Sequence, residues 1–188
     1  MNLFTPLTLG ALQLRNRIVM APMTRSRAGQ EGTPTDIMVD YYRQRASAGL
    51  IISEGIAPSA NGRGYCRTPG IYSERQIEAW TRVTRAVHEK GGCMVAQIMH
   101  VGRVASVFNK DSGSETVAPS AIRARGEMYT DVHGMQPFDE PRSLAPEEVV
   151  QVIADYRQAA VNAFIAGFDG VELHCTSGYL PAQFLCTG

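Results

Sequence analysis

Four short apolar runs, Ile18–Ala21, Leu50–Glu54, Cys93–Met99 and Asp169–His174, alternate with longer segments of helical periodicity, and this alternation constrains the fold more than any other feature. The first run, halted by Pro22, reads as a strand buried on both faces, and the other three read as further strands. Ile37, Met38, Tyr41, Tyr42 and Arg45 recur on one side of a helix expected from Pro34 to about Gly49. Ser73 and Gln76 have capping-box spacing and open a second helix bearing Ile77, Trp80, Val83 and Val87, which Gly91–Gly92 stops. A third begins at Pro146, places Glu147 and Glu148 in its first turn and runs to about Ala166. The order β-α-β-α-β-α-β predicts an α/β fold with a parallel sheet and right-handed crossovers, one domain over residues 1–188. Residues 3–15 alternate about Gly10 and predict a β-hairpin ahead of it. A doubly wound sheet and a (β/α)8 barrel both fit. No G-x-G-x-x-G follows the first run, so the doubly wound fold loses its best support.

Composition narrows the function class. The chain carries 18 Lys and Arg against 18 Asp and Glu, so nucleic acid is not an expected partner. No apolar run is long enough to span a membrane and no basic-then-apolar leader precedes the hairpin, which predicts a cytoplasmic protein. Cys66, Cys93, Cys175 and Cys186 lie in separate segments without C-x-x-C spacing, so free thiols are expected and a metal site is not. His174 and Cys175 are adjacent, but neighbours on a strand face opposite ways and do not make a catalytic pair.

In barrel enzymes the chemistry stands at the C-terminal ends of the strands. That rule selects Thr24, Glu54–Gly55, Gln97 with Met99 and His100, and His174. Gln97 interrupts an otherwise apolar strand, so its amide needs a partner: a loop backbone, or a flat heterocycle with paired donors and acceptors. His174 is followed by Ser177, Gly178 and Tyr179, which lets an imidazole and a phenol flank one cavity. Residues 57–72 read as a loop. The stretch from about Gly102 to Leu144 reads as a long irregular connection, a length that usually carries function.

Five segments in register carry a family resemblance: Ala21-Pro22-Met23-Thr24-Arg25; the loop Gly64-Tyr65 to Pro69-Gly70-Ile71-Tyr72-Ser73; Gln97-Ile98-Met99-His100-Val101-Gly102-Arg103; Ala118-Pro119-Ser120; and Gly167 to His174. Together they resemble the old yellow enzyme family of flavin-dependent ene-reductases. The resemblance implies a (β/α)8 TIM-type barrel holding FMN over its C-terminal rim. NADPH or NADH reduces the flavin, and an alkene activated by a carbonyl or nitro group then accepts a hydride. By the same resemblance Pro22, Met23, Thr24, Gly55, Gln97 and His174 hold the flavin, and Gly55 lets the ring approach the backbone. His174 would bond the substrate carbonyl oxygen, Tyr179 would protonate the α carbon, and Tyr65, Met99 and Ser177 would border the substrate.

Three departures from the family pattern follow. Ser177 replaces the second His or Asn of the family's His-x-x-His/Asn pair, and Met99 replaces a usual Trp. A barrel needs about 250 residues, so only about the first four β/α units are expected, without the half that grips the flavin phosphate. An open half-barrel exposes strand edges and apolar surface. That predicts a complementary half-barrel chain or self-association as partner. The competing reading is a catalytically silent half-barrel with a structural or interaction role.

Overall fold

The computed structural model describes residues 2–186. Leu7–Leu9 (β1) and Leu12–Leu14 (β2) form the expected antiparallel hairpin. It turns at Gly10, whose φ of 58° suits a residue without a Cβ. Arg15, at the hairpin's exit, donates to the Lys90 carbonyl at 2.8 Å, which anchors the hairpin near the N-terminal ends of the main strands.

The main unit follows as Val19–Met20 (β3), Asp36–Arg43 (α1), Leu50–Ile56 (β4), Glu74–His88 (α2) and Met94–Ile98 (β5). Val117–Ala118 (β6) comes next, then a hairpin of Glu127–Thr130 (β7) and Gly134–Pro137 (β8), and then Arg142–Ser143 (β9), which pairs with β6. Pro146–Ile165 (α3), Gly170–Leu173 (β10) and Leu180–Leu185 (α4) complete it. The sheet order β10-β5-β4-β3 is parallel throughout and runs in sequence order without reversal. A doubly wound sheet reverses its order and carries helices on both faces. Here Ile51, Ile56, Met94, Ala96 and Ile98 pack against Met38 and Tyr42 of α1, Trp80, Val83 and Val87 of α2, and Ala159 and Ala163 of α3 in one core. Helices therefore cover a single face, and the sheet is a wall of a (β/α)8 barrel.

Local chemistry explains the elements. The capping box is present: Gln76 N–H donates to Ser73 Oγ, while the Gln76 side chain accepts from the Ser73 N–H. Trp80 is fully buried and donates from Nε1 to the Gly70 carbonyl at 3.1 Å, fixing the end of the loop before α2. In β4 the register shifts: Ile52 pairs with Val95 but Gly55 with Gln97, so Ser53 and Glu54 together oppose Ala96 as a β-bulge.

Three expectations are corrected. The first apolar run is not covered on both faces: it yields a two-residue strand paired only with β4, and Val19 is 50% exposed because no strand flanks its other side among the described residues. The first helix ends at Arg43, since Arg45, Ala46 and Ala48 bond three residues back and tighten the chain into turns. The connection after Gly102 is not irregular throughout, for β6 pairs with β9 and β7 with β8 inside it. A fourth helix, α4, follows the last strand and has no counterpart in the sequence reading.

Candidate active site

Gly55, Gln97 and Glu172 lie side by side across β4, β5 and β10, on the sheet face that no helix covers. Gln97 is buried, and its amide has the partner it requires: Nε2 donates to Glu172 Oε1 at 2.7 Å, while its backbone N–H donates to Ser53 Oγ at 2.9 Å. The partner is a carboxylate on the next strand, 75 residues away, and not a loop backbone. With Nε2 committed, Gln97 Oε1 is left to accept from another group. A Cβ at Gly55 would come 2.6 Å from Met99 Cε and 2.8 Å from its sulfur, so the Met99 thioether occupies the space beside this glycine.

His174 follows β10 and is fixed by its N–H, which donates to the Ile98 carbonyl at 3.0 Å. Its ring stands edge-on to Tyr179 with centroids 4.8 Å apart. Thr176 Oγ1 lies 3.4 Å from Nδ1, which leaves Nε2 facing away from this contact. Partial burial holds the imidazole below its usual pKa, against the opposing pull of Glu172, so the ring is neutral at pH 7. The turn to Tyr179 is made by Ser177 and Gly178 at φ 58° and 75°. Ser177 is exposed, and its hydroxyl lies 3.4 Å from that of Thr176.

The hydroxyls of Tyr179 and Tyr65 are 3.1 Å apart, with rings edge-on. Burial, together with this bond, drives the Tyr65 pKa far above that of a free phenol. Both rings pack on Met99, Val101 and Ala105. The loop carrying Tyr65 is stitched down from outside the sheet: Lys110 Nζ donates to the carbonyls of Asn61 and Arg63 at 2.6 and 2.5 Å, and Asn109 Nδ2 to that of Gly64 at 3.0 Å. Gln183 of α4 does the same for the other side, donating to the carbonyls of Val101 and Gly178 and accepting from Arg103 N–H.

Pro22, Met23 and Thr24 follow β3 at the same end of the sheet, Pro22 half-buried and the other two exposed. Thr24, Gly55, Gln97 and His174 thus stand at the C-terminal ends of four adjacent parallel strands. His100 does not join them. It is fully buried, its Nδ1 accepts from Gly102 N–H at 3.1 Å, and desolvation lowers its pKa to about 3, so it is a neutral packing residue. Sequence reading missed Glu172, Tyr42 and Gln183; it named Glu54 only as a rim position. Their roles rest on partners 12 to 82 residues distant, for which only the apolar setting of a lone carboxylate gave a signal. Among the described residues no three His, Cys, Asp or Glu side chains gather as a metal site.

Comparison with known proteins identifies the family. The chain is 46% identical over 187 residues to a chanoclavine-I aldehyde reductase of Penicillium roqueforti, covering 97% of this chain and 48% of the relative. It is 42% identical to 12-oxophytodienoate reductase 7 of Oryza sativa subsp. japonica, covering 99% and 48% respectively. The solved structure of morphinone reductase superposes with a TM-score of 0.93 at 47% identity, over 99% of this chain and 51% of that one. The chain spans about half the length of the curated relatives it matches. Residues 2–188 match the profile of the NADH:flavin oxidoreductase / NADH oxidase family. By that match and these identities, the chain belongs to the NADH:flavin oxidoreductase / NADH oxidase family.

Proposed function

We propose that residues 1–188 form one domain carrying the hydride-acceptor side of an FMN-dependent ene-reductase, with NADPH or NADH as reductant and an alkene activated by a carbonyl or nitro group as substrate. One observation carries the reading: a neutral imidazole and a hydrogen-bonded tyrosine pair stand beside the Gly55–Gln97–Glu172 row on one open sheet face.

The residues present fit a flavin. Gln97 is buried, oriented by Glu172 and left with a free acceptor, which suits the N–H of a flat heterocycle. Pro22, Met23, Thr24, Gly55, Gln97 and His174 would hold the ring. Reduced FMN, once bound, supplies the hydride, and the nicotinamide replenishes it. His174 donates from Nε2 to the substrate carbonyl oxygen and stabilises negative charge as it develops there. Tyr179 transfers its phenolic proton to the carbon α to that carbonyl, and Tyr65 holds the Tyr179 hydroxyl in place. Met99 and Tyr65 set the width of the cavity, and Ser177 takes part from the rim.

No described helix is long and apolar enough to cross a membrane. The free thiols suit a reducing compartment, so we place the chain in the cytoplasm. Exposed apolar residues at both edges, Val19 on β3 and Leu173 on β10, fit a complementary half-barrel or a second copy. They also favour the second reading, a silent half-barrel that serves as an interaction module. Titration of the purified chain with FMN, followed by flavin fluorescence, separates the two. Saturable quenching weakened by Gln97→Ala supports the enzyme reading, and no quenching by the chain, alone or with a relative's C-terminal half, refutes it.

A further inference from the structure

Glu54 has no part in the chemistry above, yet it is a carboxyl with 1% exposure placed inside the β-bulge next to Gly55. Its surroundings make one demand. Oε2 accepts from the Arg25 backbone N–H at 3.2 Å, and Oε1 accepts from the Tyr42 hydroxyl at 3.2 Å. Tyr42 OH itself accepts from the Glu54 N–H at 2.9 Å, which leaves its proton directed to the carboxyl. Both oxygens therefore act as acceptors, which the carboxylate does best, since a protonated carboxyl turns one oxygen into a donor and a weaker acceptor. Arg25 is held a second time by its guanidinium, 5.0 Å from the Tyr41 ring centroid.

We propose that Glu54 is a positioning residue whose protonation state sets the hold on the Met23–Thr24–Arg25 segment, and through it the placement of the Thr24 hydroxyl toward the flavin. The consequence for the flavin rests on the function proposed above; the clasp itself does not. Ionised, Glu54 ties Arg25 N–H to the end of β4, one residue from Thr24. Protonated, it offers one charge-assisted acceptor fewer and gains a proton of its own, so the bond from Arg25 or from Tyr42 weakens. The charged and titratable neighbours are Arg25 on the segment after β3 and Tyr42 and Tyr41 on α1, with Arg45 stacked further out at 3.8 Å from the Tyr41 centroid. Burial raises the Glu54 pKa from the usual 4.5 to about 7, while the Arg25 and Tyr42 bonds and the Arg25 charge pull the other way. A folded pKa above the unfolded one means that this group's contribution to stability is full below 4.5 and is lost as pH rises through about 7. The clasp on Arg25 therefore tightens over the same range in which the fold loses some stability.

The test uses the chain labelled with 15N-arginine, with the Arg25 amide assigned by Arg25→Lys, titrated from pH 5 to 9 with and without FMN. The Arg25 amide should shift with a midpoint near 7 and become roughly tenfold or more protected from hydrogen exchange above it. Glu54→Gln should abolish the titration. Tyr42→Phe, which removes a bond that lowers the Glu54 pKa, should move the midpoint to higher pH and keeps the test decisive if the Gln variant fails to fold. An Arg25 amide that is flat with pH in the wild type, or that titrates alike in either variant, overturns the proposal. Failure to bind FMN would refute the flavin reading alone, because the amide titration is read without it.

Discussion

Gly55→Ala is the substitution for which the structure supplies the most direct arithmetic. The added methyl would sit 2.6, 2.8 and 3.2 Å from Cε, Sδ and Cβ of Met99. Ordinary carbon contacts lie at about 3.5–4.0 Å, so the thioether must retreat by about 1 Å. Gly55 has no left-handed φ, and the backbone itself accepts alanine. Overpacking costs about 1–3 kcal/mol, and the flexible Met99 tip favours the lower end. Met99→Ala alone empties a buried site and should cost about 2–5 kcal/mol. In the double variant the new methyl moves into the space that Met99 vacates, so the two costs should fall short of additivity by at least about 0.5 kcal/mol. Urea unfolding followed by circular dichroism measures all four corners of the cycle, and in a chain of this size each kcal/mol moves Tm by about 2–4 °C. Equal costs for Gly55→Ala in both backgrounds would show that Met99 is not what excludes a side chain here. An FMN affinity that falls in both backgrounds while stability is restored would assign the glycine to the flavin as well.

In a completed, catalytically competent unit, Tyr179→Phe should leave nicotinamide-driven flavin reduction nearly unchanged while slowing reoxidation by an enone about 10²–10⁴-fold; equal slowing of both half-reactions in stopped-flow would make the residue a binding group. Ser177→Asn should be tolerated, because Asn adopts a φ near the observed 58° more readily than Ser. If a second donor is what the His174 side lacks, kcat/KM for cyclohexenone should rise, with a ceiling of about 3 kcal/mol in barrier; an unchanged or lower value at equal flavin occupancy counts against that idea. Lys110→Met leaves the Asn61 and Arg63 carbonyls without their donor, at about 1–3 kcal/mol. Tryptic cleavage at Arg63 or Arg67 should accelerate, and an unaltered cleavage rate would mean the loop is held by other bonds.

The architecture could be read from the sequence where it depends on local chemistry. Ser73 and Gln76 sit three apart and make the capping box, Gly10 turns the hairpin, and Trp80, Val83 and Val87 mark the buried side of α2. The choice between two parallel folds was not local, and strand order with one-sided helix packing decides it. The same division holds at the site. Strand ends pointed to Thr24, Gly55, Gln97 and His174, but they pointed equally to His100, which desolvation and a bond from Gly102 turn into packing. The run around Val19 alone suggested burial on both faces, but the length of the chain pointed to exposed strand edges, and Val19 on the edge strand β3 is half exposed.

The bulge in β4 bears on how such a chain can diverge. Ile51 and Ile56 both enter the helix-facing core although they are five positions apart, an odd spacing that a regular strand would send to opposite faces. One supernumerary residue thus lets the core half and the site half of the strand keep independent phases. Loss of a single codon at Ser53 or Glu54 would restore the regular pleat while leaving Ile52 opposite Val95 and Gly55 opposite Gln97. Descendants could take that step without rebuilding the sheet. They would part with the hydroxyl that accepts the Gln97 N–H in one case and with the carboxyl that grips Arg25 in the other, so the two lineages would inherit the same barrel wall with differently fastened rims.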